Sequence, residues 1–396
     1  MDKGLKSCEH IRICSAKDTV CHWPRFGGIW YWPEDNEVLL GHIHSRSEYT
    51  DPQDKAHGEH GIWRRATTRL QRSLDGGETW GQAFDLFDHT QHLEDQWAWL
   101  GLNPITRKPL RRNTEVEHPA IDMRNPDSVL FLGKAWAGLP RIRDGKVFHD
   151  RVLWGLRSPD RGRSWEKHPS LLSPHFTDTA DIYANSSLVL PDGKVLAYMT
   201  AFLEGRFTYK SVPQLYLSTD QGVSWHFVSN IYYDMETYEQ CLYPSMLLLP
   251  TRRGSGRLFC SLGMWIEPAS VRWTASTYSD DLGNTWAPPR RIDRWSVSPF
   301  PILLADGRIV IVYIVRCQPP MRMCCIVSED EGKTWSEEIV LRDDSPPVSD
   351  RDGGYPVAAE LKDGRIFTAY YWQVEERDLP WPGGRKHIAG TFFELK

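Results

Sequence analysis

The chain has 396 residues and a formal net charge of −5, with 25% charged and 40% hydrophobic residues, as in a typical soluble globular protein. Its slight acidity and lack of a long basic run argue against a nucleic-acid partner. No stretch approaches the roughly 18 consecutive apolar residues of a membrane span, and the first 14 residues contain no apolar signal core.

Two residue types add to this picture. The eight cysteines form no C-x-x-C pair, and without an export signal we expect them to be reduced thiols of a cytoplasmic protein. The 18 Trp and 15 Tyr fit either a β-rich core or a sugar-binding surface, because aromatic faces stack on the C–H faces of sugars.

Six segments read as β-hairpins, because apolar and β-branched residues flank a few polar turn residues. In chain order they cover 32–41, 123–133, 190–199, 249–262, 304–314 and 361–372. We call the two strands of each hairpin strand A and strand B. Helix signals are sparse, so the sequence predicts an all-β fold.

An eight-residue turn follows five of these hairpins, with the pattern Ser-x-Asp-x-Gly-x-[Ser/Thr]-Trp. We call the copies boxed turns, and they occupy 73–80, 158–165, 218–225, 279–286 and 328–335. The Asp carboxylate can accept bonds from backbone N–H groups of its own turn, and the Gly can supply a positive φ. The Trp begins the next strand and packs against the sheet.

Hairpins and boxed turns alternate, so each repeat reads as strands A, B, C and D with the boxed turn between C and D. Successive boxed Asp residues are 85, 60, 61 and 49 positions apart, which suits four-stranded propeller blades. The sixth repeat ends after a strand C within 387–396, and segment 9–18 can supply its outer strand. The sequence predicts one domain over 1–396, a six-bladed β-propeller of four-stranded antiparallel blades whose ring is closed by strands from both termini.

The in-phase repeats resemble the sialidase (neuraminidase) superfamily, also called the Asp-box or BNR-repeat propellers. The resemblance covers nearly the whole chain and supports the fold more than the activity, because such turns lie far from the active face. For activity it implies a Tyr nucleophile assisted by a Glu, an Asp acid/base and three Arg that bind the substrate carboxylate.

Several residues stand where the resemblance places these roles. Arg25 precedes strand A of blade 1, the position of the first carboxylate-binding Arg, and Tyr355 opens strand A of blade 6, the position of the nucleophile. Asp51 and Asp54, in the loop after strand B of blade 1, are both candidates for the acid/base. The pattern then breaks, because Tyr243 occupies the place of the assisting Glu.

Other residues could fill the missing roles. Glu239 or Asp352 would then support the tyrosine. Strand B of blade 4 ends without the second carboxylate-binding Arg. Arg316, after strand B of blade 5, could bind the carboxylate, as could Arg206 or Arg272 from loops.

The starts of strands A and the ends of strands B line one mouth of a propeller channel, which is the default ligand site. Ionisable groups there are costly to desolvate unless they are used. The candidate substrate-binding residues are Arg25, Arg46, Glu117, His118, Lys134, Trp136, Asp181, Tyr183, Tyr243, Trp265, Arg316 and Tyr371. We expect Trp136, Trp265 and Tyr371 to form walls on which a sugar stacks.

Histidines form a second group near this mouth. His42 and His44 alternate on strand B of blade 1, so they point to the same face. An imidazole suits acid/base chemistry near neutral pH, which makes His44 a further acid/base candidate. With Glu59 or Glu117 the histidines could hold a metal, but the spacing matches no standard zinc motif, and we predict neither metal nor cofactor.

The leading hypothesis is a carbohydrate-active enzyme that hydrolyses a terminal acidic sugar from a glycan or glycoside. Arg25 and Arg316 would bind the carboxylate, and Tyr355 would be nucleophile or proton donor. One alternative is a lyase that acts on a uronate with His44 and a Tyr. The other is a non-catalytic propeller that binds a glycan or a protein. The expected partner is a carbohydrate, with no nucleic acid and no membrane.

Overall fold

The computed structural model describes residues 4–47, 49, 66–91, 93–103, 109–136, 141–143, 146–148, 151–172, 179–204, 209–234, 236–237, 239–250, 256–266, 271–292, 295–316, 319–346, 352–374 and 385–396. Nearly all regular structure in these ranges is antiparallel β-sheet, arranged as six blades of a β-propeller. The predicted fold class is confirmed. Within the same ranges, no helix has the length and apolar character needed to cross a lipid bilayer.

The first strand of the chain, β1 (Leu5–Cys14), belongs to blade 6. Blade 1 contains β2 (Thr19–His22), β3 (Ile29–Trp32), β4 (Glu37–Arg46), β5 (Ala66–Ser73) and β6 (Phe84–Asp88). Blade 2 and a small hairpin beside it contain β7 (Val129–Trp136), β8 (Arg141–Arg143), β9 (Lys146–Phe148), β10 (Arg151–Ser158) and β11 (Ser170–Leu172). Blade 3 contains β12 (Thr179–Asp181), β13 (Ser187–Val189), β14 (Val195–Glu204), β15 (Tyr209–Ser218) and β16 (His226–Asn230).

The remaining blades are more regular. Blade 4 contains β17 (Glu239–Leu249), β18 (Arg257–Ile266), β19 (Val271–Ser279) and β20 (Arg290–Arg291). Blade 5 contains β21 (Ser296–Leu303), β22 (Ile309–Val315), β23 (Arg322–Ser328) and β24 (Ile339–Arg342). Blade 6 contains β25 (Gly354–Glu360), β26 (Ile366–Trp372), β27 (His387–Leu395) and β1. The helical segments are α1 (Pro24–Gly27), α2 (Leu93–Leu100) and a 3-10 turn (Asn113–Glu115).

Blade 2 departs from the four-stranded plan. Its described strands pair in the order β7, β10, β11, and residues 117–122, which should form its strand A, have no regular secondary structure. Pro119 lies in this segment and lacks the N–H that a strand would donate to its neighbour. Among the described residues, none forms a paired strand at the innermost position of this blade.

The two ends of the described chain close the ring, as predicted. β1 pairs antiparallel with β27 from Leu5 opposite Leu395 to Cys14 opposite Ile388. β27 also pairs with β26, so both of its edges are hydrogen-bonded. The closure leaves blade 6 with the same four-strand order as its neighbours.

Each boxed turn has the predicted internal bonding. In the first copy, Thr79 N–H donates to the Asp75 carboxylate at 2.9 Å, and Gly77 N–H donates to the Ser73 hydroxyl at 2.8 Å. Gly77 has a φ of +99°, a conformation that favours glycine. The same carboxylate bond recurs in the other four copies.

The boxed turns share one face of the ring with the A–B turns. Gly76 N–H donates to Asn36 O, and Arg161 N–H donates to Asp127 O, each at 2.7 Å. The starts of strands A and the ends of strands B therefore lie at the opposite face. Clusters of buried apolar residues pack each blade against its neighbours, and the largest of them joins blades 5, 6 and 1.

Candidate active site

A group of ionisable and aromatic side chains from blades 4, 5 and 6 meets at the centre of the ring. We call it the tyrosine centre, and it consists of Tyr243, Arg316, Asp352, Tyr355, Tyr371 and Lys386. The hydroxyls of Tyr243 and Tyr355 are 2.8 Å apart, and their rings meet edge to face. The two tyrosines come from β17 and β25, the strands A of blades 4 and 6.

Three inner strands share an irregularity where they reach the centre. Tyr243, Ser298 and Tyr355 have φ angles of +56°, +54° and +51°, and a proline follows each of them. The pairing of strand A with strand B shifts register at all three points. Such bulges re-aim side chains beside active sites, and a positive φ is uncommon for residues other than glycine. The bulges of β17 and β25 thus occur at the two tyrosines whose hydroxyls are in contact.

The guanidinium of Arg25, on α1, donates hydrogen bonds to backbone carbonyls at two of these bulges. Its Nη1 donates to the carbonyl of Pro299 at 2.6 Å, and its Nη2 donates to the carbonyls of Tyr243 and Pro244 at 3.0 and 3.2 Å. The residue is 2% exposed, and its guanidinium carbon lies 5.2 Å from the centre of the Tyr183 ring. These bonds hold the backbone of β17 and β21. The resemblance did not imply this structural role for Arg25.

Asp352 connects the two cations of the tyrosine centre. Its Oδ2 accepts a 2.5 Å bond from Lys386 Nζ, and its Oδ1 accepts bonds from Arg316 Nη1, at 3.2 Å, and from the Tyr371 hydroxyl. Lys386 is fully buried, and the Arg316 guanidinium lies 5.4 Å from the centre of the Tyr355 ring. Asp352 therefore holds both cations beside the tyrosine pair.

The phenols of Tyr355 and Tyr371 are protonated at neutral pH. Burial and the neighbouring Tyr243 raise the pKa of Tyr355 well above its ordinary value, and Arg316 offsets only part of this. Burial and the Asp352 carboxylate raise the pKa of Tyr371 in the same way. Tyr355 is therefore ready to donate a proton, whereas a nucleophilic role requires a group that removes its proton.

Positive charge exceeds negative charge in the tyrosine centre. Arg316 and Lys386 carry two positive charges against the single negative charge of Asp352, so the centre has a net charge of +1. The Arg25 guanidinium lies close by, over the ring of Tyr243. A buried site with this balance attracts an anionic group.

Aromatic contacts extend the centre toward blades 1, 2 and 3. The Phe26 ring lies 4.8 Å from the Tyr183 ring and 6.0 Å from the Tyr355 ring, measured between ring centres. Lys134 Nζ lies 4.2 Å from the centre of the Phe26 ring. The predicted residues Tyr183 and Lys134 thus reach the tyrosine centre through Phe26.

Two predicted residues have partners elsewhere. Glu239 accepts a 2.8 Å bond from the Tyr232 hydroxyl. His118 lies 2.9 Å from a carboxylate oxygen of Glu166, which directly follows the boxed turn of blade 2. No described contact joins Glu239 or His118 to Tyr355, and Tyr243 is the side chain that faces the Tyr355 hydroxyl.

His44 also lies apart from the tyrosine centre. It pairs with Cys21 across β2 and β4, and the charged groups that influence it include Arg69 and Asp85 on the outer strands of blade 1. Burial, followed by Arg69, lowers the pKa of His44 to about 4. Among the described contacts, none connects His44 with Tyr355.

The remaining predicted residues vary in position. Arg46 and Glu117 are exposed, and Trp265 is half-buried at the end of β18. Trp136 lies in β7 and Asp181 in β12, but their side chains lie outside the described part of the structure, as do Asp51 and Asp54.

Sequence reasoning missed Lys386 and Phe26. Lys386 directly precedes β27, and Phe26 directly follows Arg25. The shared bulge offers a signal that was available, because Tyr-Pro or Ser-Pro recurs near the start of three strands A. A proline cannot donate to the sheet, so its recurrence at one register marks an interruption of the ladder.

The fold and the tyrosine centre together define a class of protein. This class is the six-bladed propellers of sialidase type, with ionisable groups where the inner strands converge. The model of the BNR repeat-like domain family matches residues 136–368, which is more than half of the chain. The chain belongs to this family.

Solved structures share the fold at low sequence identity. A protein of unknown function from Dyadobacter fermentans DSM 18053 is 19% identical, with a TM-score of 0.71 over 100% of both chains. NanB sialidase from Streptococcus pneumoniae is 11% identical, with a TM-score of 0.57 over 98% of this chain and 71% of its own. An α-L-arabinanase from Penicillium chrysogenum is 14% identical, with a TM-score of 0.53 over 97% of this chain and 98% of its own. A comparison with curated proteins gives no match.

Proposed function

We propose that the protein is a carbohydrate-active enzyme that hydrolyses a terminal acidic sugar from a glycan or glycoside. The observation that carries the proposal is the buried contact of the Tyr355 and Tyr243 hydroxyls, 2.8 Å apart, beside the Arg316 guanidinium. Membership of the BNR repeat-like family, and a fold shared with sialidases and an arabinanase, support a glycosidase. The net positive charge of the tyrosine centre supports an acidic sugar.

In the proposed reaction, Arg316 binds the sugar carboxylate. Among the described residues its guanidinium makes one hydrogen bond, from Nη1 to Asp352, so further N–H groups can donate to a carboxylate. Lys386 shares Asp352 and keeps that carboxylate oriented. The sugar is thereby placed next to Tyr355.

Tyr355 acts on the anomeric carbon of the bound sugar. As its oxygen attacks this carbon, the bond to the leaving oxygen breaks and the phenolic proton moves to the Tyr243 hydroxyl, which passes a proton to solvent. The leaving oxygen needs a proton from an acid. Asp51 and Asp54, outside the described residues, are the candidates for this acid. Water then releases the sugar from Tyr355.

Chromogenic glycosides of sialic acid, glucuronic acid and arabinofuranose test the proposal. We expect turnover of an acidic member, and Tyr355→Phe should lower kcat at least about 100-fold because it removes the reacting oxygen. Tyr370→Phe is the matched control, because Tyr370 is equally buried on β26 but bonds to Thr391. Equal kcat for Tyr355→Phe and the unmodified protein, or no hydrolysis of any acidic glycoside, would contradict the proposal.

A non-catalytic glycan-binding propeller is the second candidate. It is favoured by one observation, that Tyr355 pairs with Tyr243 where a sialidase would use a carboxylate. Tight binding of an intact acidic glycan by calorimetry, without turnover and unaltered in Tyr355→Phe, would identify this function. The lyase alternative receives no such support, since no described contact joins His44 to Tyr355.

We also propose that residues 1–396 form a single domain. The pairing of β1 with β27 supports this, because strands from the two ends of the chain share one blade. Limited proteolysis provides a measurement, and we expect no stable fragment that retains the fold without one of the two ends.

A further inference from the structure

Two cysteines and a histidine lie together at the seam where the ring closes. Cys14 ends β1, the outer strand of blade 6, whereas Cys21 and His42 belong to β2 and β4 of blade 1. The two Sγ atoms are 2.9 Å apart, and both sulfurs and a ring nitrogen of His42 lie within 4.8 Å of one another. We call these three residues the seam cluster. None of them takes part in the tyrosine centre or in the proposed reaction.

The buried imidazole of His42 favours the binding of a ligand by the seam cluster. The side chain of His42 is 0% exposed, and by hydrogen-bond geometry neither ring nitrogen has a partner among the described residues, although the ring interacts with the nearby Cys14 thiol. A buried polar group without a partner costs free energy. Cys21 is equally buried, and both cysteines are free thiols. A ligand that accepts electron pairs from nitrogen and sulfur would satisfy all three side chains.

The donor set selects the kind of ligand. Two sulfurs and one imidazole nitrogen suit a borderline-soft metal ion such as Zn²⁺, whereas Ca²⁺ and Mg²⁺ prefer oxygen ligands. We propose that the seam cluster binds one zinc ion, which links β1 to blade 1 and stabilises the closed ring. The proposal is independent of the proposed function.

The geometry requires only small movements. Zn–S bonds of about 2.3 Å at tetrahedral angles hold two sulfurs roughly 3.8 Å apart, so the separation of 2.9 Å has to increase by less than ~1 Å. Cys14 is half-buried at the end of its strand, where it can adjust. His44 lies opposite Cys21 and on the same face of β4 as His42, so it can supply the fourth ligand.

Cobalt titration tests the site directly. The full chain is treated with a chelator, kept reduced, and titrated with Co²⁺ and then Zn²⁺. We expect one Co²⁺ per chain, a thiolate-to-cobalt charge-transfer absorption, and loss of this absorption when zinc displaces cobalt. Cys14→Ser should weaken zinc binding more than about 100-fold, since losing even a residue that only hydrogen-bonds to a metal ligand costs 10–100-fold.

Cys8→Ser is the matched control, because Cys8 is a half-buried thiol of the same strand that donates to the Leu341 carbonyl. It should retain both the absorption and the affinity. Absence of the charge-transfer absorption in the reduced, unmodified protein would overturn the proposal, and this measurement does not depend on whether a variant folds. Equal zinc affinity for Cys14→Ser and Cys8→Ser would also overturn it. So would a protein that shows no cobalt absorption when reduced but forms a Cys14–Cys21 disulfide in air.

Discussion

Buried between two bulged strands, the guanidinium of Arg25 donates to the carbonyls of Tyr243, Pro244 and Pro299. The first two carbonyls belong to blade 4 and the third to blade 5, so one side chain from blade 1 bonds to two other blades. Removing a partner from a buried acceptor costs about 1–3 kcal/mol for each group. The main effect of losing Arg25 should therefore be on stability.

We predict that Arg25→Met lowers the free energy of unfolding by at least about 3 kcal/mol, because three buried carbonyls lose a charged donor. Urea denaturation measures this. Arg25→Lys retains the charge and part of the bonding, so its stability should lie between those of Arg25→Met and the unmodified protein. Unchanged stability in Arg25→Met, combined with loss of carboxylate binding, would show instead that Arg25 contacts the substrate.

The position of Arg25 at the start of blade 1 was predictable from the sequence, but its partners were not. Backbone carbonyls are present at every residue, so no sequence pattern shows which of them a buried arginine will meet. Tyr243 and Tyr355 could be placed at equivalent strand starts, yet the contact of their hydroxyls depends on two bulges in different blades. Contacts of this kind arise from the closed ring as a whole.

Three strands A, namely β17, β21 and β25, bend at a residue with positive φ that precedes a proline. In β17 and β25 this residue is a tyrosine of the centre, whereas in β21 it is Ser298. The Ser298 hydroxyl is buried and has no hydrogen-bond partner among the described residues. In β17 and β25 the bulge thus occurs at the tyrosines whose hydroxyls are in contact. In β21 it occurs at a serine with an unsatisfied hydroxyl.

We predict that Ser298→Gly stabilises the protein by up to about 1 kcal/mol, because glycine tolerates a positive φ and removes the unsatisfied hydroxyl. Ser296→Gly is the control on the same strand. Its hydroxyl bonds to Thr274 at 2.6 Å, so its loss should destabilise the protein. Thermal unfolding of both variants measures the difference, and destabilisation by Ser298→Gly would show that its side chain supports the bulge.

The hairpins and boxed turns were predictable because each is encoded by local residues. The turn between β21 and β22 contains Asp306 and Gly307, and the turn between β25 and β26 contains Asp363 and Gly364, within the predicted hairpins 304–314 and 361–372. The strand A expected in blade 2 is absent from residues 117–122. Pro119 alone does not explain this, because β17, β21 and β25 each contain a proline and still pair with their strands B. Local residues therefore predict the hairpins well, but they do not show whether each expected inner strand pairs with its neighbour.

Histidines in different parts of the ring are held neutral by the fold. Burial, followed by a nearby cation in each case, lowers the pKa of His44 to about 4, of His89 to about 3 and of His387 to about 4. Unfolding returns each imidazole to an ordinary pKa near 6.5. Between these values the unfolded chain binds more protons than the folded protein, so acid should favour unfolding.

We predict that the free energy of unfolding falls as the pH is lowered from about 6.5 toward 4. The fully buried His89 contributes up to about 1.4 kcal/mol per pH unit in this window. His89→Gln should make the decline shallower, whereas the exposed His226→Gln should leave it unchanged. Urea denaturation at pH 7 and pH 5 measures the slope, and identical slopes for the two variants would contradict the prediction.

The pairing of β1 with β27 also has a consequence for synthesis of the chain. His10 and its contact Thr391 are 381 positions apart, so β1, the outer strand of blade 6, is translated long before its partner strand β27. Contacts this distant form slowly, and an unpaired strand edge can recruit other chains in the meantime. Ribosomes that stall before β27 would release polypeptides with the edge of β1 exposed, so the demand for chaperones should fall once β27 has been translated.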